Sequence, residues 1–190
     1  MNEGRTCSTP SVLDTDRLTL RPWSVDDVAG FHRIWGDPQV LWWGTPHTDL
    51  EESARLLEER VAHSEASAPG LGSWAVIERR SGEVVGNAFL RSLESDDGPA
   101  ELGYHVVSSR WGEGIATEVA RCLLTYASLA LGVEEVIALV HVDNVPSRRV
   151  VEKIGLVRDG EMVHGGLAHD VYRHVNEPMH DPWEPEERDW

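Results

Sequence analysis

Two short segments carry residue types whose order and spacing suit chemistry. In the first, Trp111-Gly112-Glu113-Gly114-Ile115-Ala116-Thr117, two glycines lead straight into an apolar-periodic run. The start of a helix presents backbone N–H groups with no partner inside the helix, together with the positive end of its dipole. Glycines let the chain turn tightly and let an anion approach those donors, so Gly112 to Thr117 can seat a pyrophosphate on backbone alone. The segment holds no lysine, which excludes a Walker-type loop, and it lacks the third glycine and the later acid of a dinucleotide fingerprint. Taken alone, Gly-x-Gly is equally a tight turn with no ligand. In the second segment, Asn144-Val145-Pro146-Ser147, Asn144 precedes a short helix that Gly155 closes. His141, His164 and His169-Asp170 are types that ligate metal, but they form no helical pair or matched cluster. They are expected to be histidines of strands at a sheet edge, with no metal.

These segments need elements to position them. Alternation predicts a strand over Arg17–Arg21, and Ser24 with Asp27 predicts a capped helix running to Trp35, ended by Asp37-Pro38. Thr48 and Glu51 repeat the capping pattern before a helix carrying Leu56, Leu57 and Val61. Ser73–Glu78 and Glu83–Leu90 flank Ser81-Gly82 and predict a hairpin, followed by a strand over Ala100–Val107. Val119, Ala120, Leu123 and Ala127 recur at the spacing of a buried helical face after the glycine turn. Val136–Val142, Leu156–Val163 and Ala168–Val175 complete a sheet. The expected organisation is a leader without structure over residues 1–11, one domain over 12–175, and an acidic, Pro-rich tail over 176–190. Trp183 and Trp190 in that tail could dock on the body or on a partner.

Length and composition bound the function. The chain has 190 residues, a net charge of −16 and 41% hydrophobic residues, enough for one domain with a core. The charge argues against nucleic acid or an anionic membrane as partner, and is compatible with a cationic one. Cys7 and Cys122 make no disulfide framework. No stretch approaches the ~20 apolar residues of a membrane span, and Met1–Thr9 lacks the apolar core of a signal peptide, so the cytoplasm is the expected compartment.

Ala100-Glu101-Leu102-Gly103-Tyr104 followed by Trp111-Gly112-Glu113-Gly114-Ile115-Ala116-Thr117-Glu118 resembles the cofactor motif of the GNAT acetyltransferase superfamily, in its RimJ/RimL-type branch. Asn144-Val145-Pro146-Ser147, Val150 and Glu152-Lys153-Ile154-Gly155-Leu156 resemble its downstream motif, and Thr15–Pro22 its first strand. The likeness covers Thr15 to Val175. It implies an α/β (α+β) GNAT-like fold: a central mixed, mostly antiparallel sheet with splayed parallel central strands, flanked by helices. It implies acetyl-CoA as cosubstrate, with pantetheine pairing to the backbone at Val106 and Val107. The pyrophosphate would sit on Trp111, Gly112, Gly114, Ile115, Ala116 and Thr117, and Asn144 and Ser147 would lie near the thioester. Glu101 matches a general-base position, against a plain strand carboxylate. Ser147 is a candidate to assist the leaving thiolate, against a helix-start hydroxyl. Val151 stands where many members carry an acid tyrosine, so Ser147, or Tyr104 or Tyr172 at a distance, does that work, or the thiolate leaves without help. Trp35, Asp37, Trp42 and Trp43 fall in the region that shapes the acceptor pocket, where aromatic walls suit a cationic or peptidic amine or simply pack a core. Glu94-Ser95-Asp96-Asp97 reads as a solvated turn able to greet a cationic amine.

Three functions follow from the resemblance. The leading one is an N-acetyltransferase acting on a protein N-terminus or small amine, as monomer or homodimer. The others are a polyamine or antibiotic acetyltransferase, and a non-catalytic acetyl-CoA-binding sensor.

Overall fold

Leu18 and Leu20 alternate with Thr19 and Arg21, and both leucines are fully buried in strand β2 (Leu18–Pro22). The structure is a computed structural model that describes residues 11–40, 46–47, 49–64, 70–92 and 98–175. Trp42, Trp43, Thr48, the loop at 94–97, the tail and all of the leader but Ser11 lie outside the described residues. Ser11 is held by its carbonyl, which accepts from Trp74 Nε1 at 2.8 Å. A two-residue strand, β1 (Leu13–Asp14), pairs with β2.

Ser24 and Asp27 form the reciprocal capping box that their spacing predicts. A 3₁₀ turn at Val25–Asp27 intervenes before helix α1 (Val28–Trp35). At the start of helix α2 (Leu50–Ser64), Asp49 Oδ1 accepts the Glu52 N–H at 2.8 Å. That cap falls one residue beyond the threonine nominated by sequence. The hairpin β3 (Gly72–Glu78) and β4 (Val84–Ser92) leads to β5 (Ala100–Val106) and, after a 3₁₀ turn at Ser108–Arg110, to helix α3 (Ile115–Leu129). Strand β6 (Glu135–His141), helix α4 (Val145–Lys153), and the hairpin β7 (Val157–His164) and β8 (Leu167–Val175) complete the chain.

The sheet runs β1-β2-β3-β4-β5-β6-β8-β7. Every neighbouring pair is antiparallel except β5–β6, which is parallel and pairs only through Ala100↔Val136 and Glu101↔Ile137. Beyond those two bridges the strands part, so Leu102–Val106 and Ala138–His141 face each other across a gap. Alternate residues of each strand serve two cores. Trp74, Val76 and Leu102 pack under α3 and α4, against Val119, Ala120, Leu123 and Val151. On the other face Ala75, Val84 and Val107 pack with Phe31, Ile34 and Trp35 of α1 and Leu57 of α2.

Candidate functional site

The splay of β5 from β6 opens a cleft of about 500 Å³. Val106 forms part of one wall, and Asn144 and Ser147 at the start of α4 form another. Trp111, Gly112, Gly114, Ile115, Ala116 and Thr117 border the cleft where α3 begins. Gly112 and Gly114 have φ of +83° and +81°, and Gly114 is the residue that caps α3. A Cβ on Gly112 would meet nothing, and one on Gly114 would approach only Arg17 Nη2 at 3.7 Å. Backbone conformation, not space, therefore demands glycine at both. The Glu118 N–H bonds to the Gly114 carbonyl at 3.1 Å, so the N–H groups of Ile115, Ala116 and Thr117 precede the first helical bond.

Side chains brace this turn from outside. Arg17 Nη1 donates to the Glu113 carbonyl at 3.1 Å and Arg17 Nε to Glu118 Oε2 at 2.7 Å, while Thr15 Oγ1 donates to Glu118 Oε1 at 2.5 Å. Burial alone would raise the Glu118 carboxyl, but these bonds outweigh it and hold it below its ordinary value. Arg110 also lines the cleft and is fixed by Glu78 and Glu113. Arg149 and Lys153, one helical turn apart on α4, line the cleft with no ion pair among the described residues. A strongly acidic chain thus gathers three cations around one cleft. Their spacing in sequence gave no signal, because α4 meets the α3 turn only in the fold.

Val107 does not join this site. Its N–H donates to the Val85 carbonyl at 3.1 Å, and its side chain is buried with Phe31 and Trp35. The expected pairing of Val107 with a ligand backbone is corrected accordingly. Because successive residues of a strand direct their backbone groups to opposite edges, Val106 and Tyr104 face the gap. The Val106 carbonyl accepts from Trp111 Nε1 at 2.8 Å, which leaves the Val106 N–H as the donor on that edge.

Tyr104 lines the cleft with its hydroxyl 2.8 Å from Ser147 Oγ. Burial pushes the phenol up to about 12, an effect that the bond to Ser147 only partly offsets. The Ser147 N–H in turn donates to the capping Asn144 Oδ1 at 3.1 Å. Val151 is buried in the core, and the buried Tyr172 donates its hydroxyl to Glu152 at 3.3 Å. Of the groups considered in place of the missing tyrosine, only Tyr104 and Ser147 line the cleft.

Glu101 lies elsewhere. It sits at the last bridge before β5 and β6 part, is 4% exposed, and is bound by Arg91 Nε at 2.6 Å. His105, on the same face of β5, lies four residues along and so ~13 Å away. A general base must reach its proton directly or through one water. Glu101 does not line the cleft, and its carboxylate is engaged by Arg91.

His105 takes the place nearest the cleft on that face. Burial, with Arg60 nearby, drives its imidazole down to about 4, so the ring is neutral. Asn87 Oδ1 accepts from Trp23 Nε1 at 3.0 Å and from Ser73 Oγ at 2.9 Å. Indole is a donor only, which turns the amide so that Nδ2 donates to His105 Nδ1 at 3.3 Å. The His105 proton then resides on Nε2.

Of the features foreseen near α1 for binding a cation, Trp35 and Asp37 lie among the described residues and are already engaged. Arg60 lies 4.6 Å from the Trp35 ring centroid, and Asp37 accepts from Ser108 Oγ at 2.5 Å. His141, His164 and His169 stand at the β6–β8–β7 edge, with rings 5.6 and 6.1 Å apart. Among the described residues no three His, Cys, Asp or Glu side chains are grouped to hold a metal.

A family model, "Acetyltransferase (GNAT) domain", matches residues 17–157. The uncharacterized N-acetyltransferase p20 of Bacillus licheniformis is 30% identical over 168 residues, 84% of this chain and 92% of that protein. Among solved structures, a GNAT-family acetyltransferase from Bacillus anthracis superposes with a TM-score of 0.75 at 22% identity, covering 87% of this chain and 98% of that one. Mycobacterium smegmatis RimJ, solved with CoA-disulfide, gives 0.74 at 23% identity, covering 90% of each chain. No helix among the described residues is long and apolar enough to cross a membrane. The chain belongs to the GNAT acetyltransferase family, and its fold is that of the RimJ/RimL-type enzymes.

Proposed function

We propose that the protein moves an acetyl group from acetyl-CoA to the nitrogen of an amine by direct attack on the thioester. The observation that carries this reading is one cleft lined both by the glycine turn and by the Tyr104–Ser147 pair. The N–H groups at the start of α3, with Arg110, Arg149 and Lys153, suit a polyanion of the diphosphate class. The Val106 N–H faces the gap as a donor for pantetheine or for the thioester oxygen as it gains charge. The new C–N bond forms as the C–S bond breaks. The electron pair leaves on sulfur, where the Tyr104 hydroxyl, held by Ser147, donates a hydrogen bond. With Glu101 paired to Arg91 outside the cleft lining, the ammonium loses its proton to water in the open cleft. An acceptor panel tests this reading: acetyl-CoA with amines of several classes, thiol release followed, and the acetylated product identified by mass. Tight binding of acetyl-CoA with no turnover of any amine would replace the enzyme with a sensor.

A further inference from the structure

Arg60, on α2, is a partly buried cation without a counter-charge among the described residues. Its guanidinium carbon lies 4.6 Å from the Trp35 ring centroid and 5.3 Å from that of Phe31. Its polar contact among the described residues is one bond, Nη1 to Ser73 Oγ at 3.3 Å, and no carboxylate of those residues lies within ion-pair distance. A guanidinium carries five N–H donors in a planar fork, so most of them have no acceptor among the described residues. Burial weakens its hold on the proton, down to about 10, yet the group stays charged at neutral pH. The titratable neighbours it acts on, His47 and His105, are both driven toward their neutral forms, chiefly by burial.

The position of this cation matters as much as its solitude. Ser73 Oγ bonds to Asn87 and Asn87 to His105, so Arg60 joins the cleft wall through a chain of polar side chains. Trp35 spans the same distance, with its ring 5.7 Å from that of His105. Arg60 therefore stands on the α1–α2 face and connects through His105 to the wall where the thioester would lie. Arg91, the other arginine over an aromatic ring on this face, is already paired with Glu101. A buried charge without a partner is costly, and a ligand that brings the opposite charge removes that cost.

We propose that the acceptor amine bears a carboxylate and that Arg60 binds it, orienting the amine toward the cleft. This rests on the acetyltransferase reading and narrows it. The net charge of the chain invites cations, but the side chains on the acceptor face select an acid. A polyamine would meet Arg60 as a like charge.

The test compares matched acceptors with the wild-type protein: α- and ω-amino acids, their carboxamides, a peptide with an acidic second residue, and spermidine. The acids are expected to exceed their amides in kcat/KM by about 10- to 100-fold, the worth of a charge-assisted bidentate pair. Arg60→Gln should erase that ratio by slowing the acids by about 10- to 100-fold more than the amides, and Arg60→Lys should restore part of it. Calorimetry with N-acetyl amino acids and their amides, in the presence of CoA, reads the same preference without turnover. If amides or spermidine are used as well as the acids, the proposal fails while the enzyme stands. If no amine turns over but the acid preference persists in binding and is lost in Arg60→Gln, the proposal stands and the enzyme reading fails.

Discussion

Replacing Tyr104 with phenylalanine isolates what the cleft does for the departing sulfur. The Tyr104 hydroxyl lies 2.8 Å from Ser147 Oγ, and burial pushes the phenol up to about 12. An alkyl thiol has a pKa of about 8.5, so full proton transfer from such a phenol would be uphill by ~5 kcal/mol. Tyr104 therefore acts as a neutral hydrogen-bond donor to a thiolate, not as an acid that gives up its proton. A hydrogen bond to a charged group contributes about 1.5–3 kcal/mol. Its loss should lower kcat by roughly 10- to 100-fold, with acetyl-CoA affinity nearly constant. Because the phenol stays protonated through neutral and mildly alkaline pH, the deficit should be flat across that range. The assay is a pH–rate profile of thiol release, with binding measured separately by calorimetry. A variant within twofold of wild type would refute the assignment. So would a wild-type profile with an alkaline limb near pH 9 that the variant lacks, since that would mark true proton transfer.

Other substitutions probe the remaining parts. Gly114→Val forces a branched side chain into φ of +81° with no clash nearer than 3.7 Å. It should lower stability by only ~1–3 kcal/mol while abolishing acetyl-CoA binding, and unchanged affinity in the folded variant would show the turn to be structural only. Glu101→Gln breaks a buried carboxylate's pairing with the half-exposed Arg91. It should lower the melting temperature by several degrees but kcat/KM by less than tenfold, whereas a loss of ~10²–10⁴ would reinstate Glu101 as the base. His105 binds its proton more weakly in the fold than in the unfolded chain, whose value is near 6.5. The unfolded state then takes up the extra proton between about pH 6.5 and 4. Stability should be full above that window and fall by ~2–3 kcal/mol by pH 4.5. Urea titrations of wild type and His105→Gln at pH 7 and 4.5 measure this difference, and equal acid sensitivity of the two would contradict it.

The parts of the site that were legible in sequence are those set by local rules. Gly112, Gly114 and Asn144 declare a turn and a cap through their own backbone demands, and the helix after them shows in its apolar period. Val107 was misplaced because alternation along β5 says that neighbours face opposite edges but not which edge faces β4. The burial of Glu101 and its pairing with Arg91 are hidden for a similar reason, since they depend on a register set by the β4–β5 pairing. Arg60, His105 and Trp35 come from three distant segments and meet only across the sheet, so no spacing announces them. The capping box at Ser24 was readable, while the cap of α2 observed at Asp49 follows a threonine that lies outside the described residues.

If the gap between β5 and β6 delivers an acetyl thioester to an amine, the label of the acetyl group must follow that path. The most direct measurement is a single-turnover experiment with protein saturated by acetyl-CoA labelled in the acetyl group, to which an amine chosen from the acceptor panel is added. Label is expected to pass to the amine nitrogen in step with the appearance of free thiol, with no covalently labelled protein at any time. Label that accumulates covalently on the protein, or thiol released without acetylated amine, would contradict it.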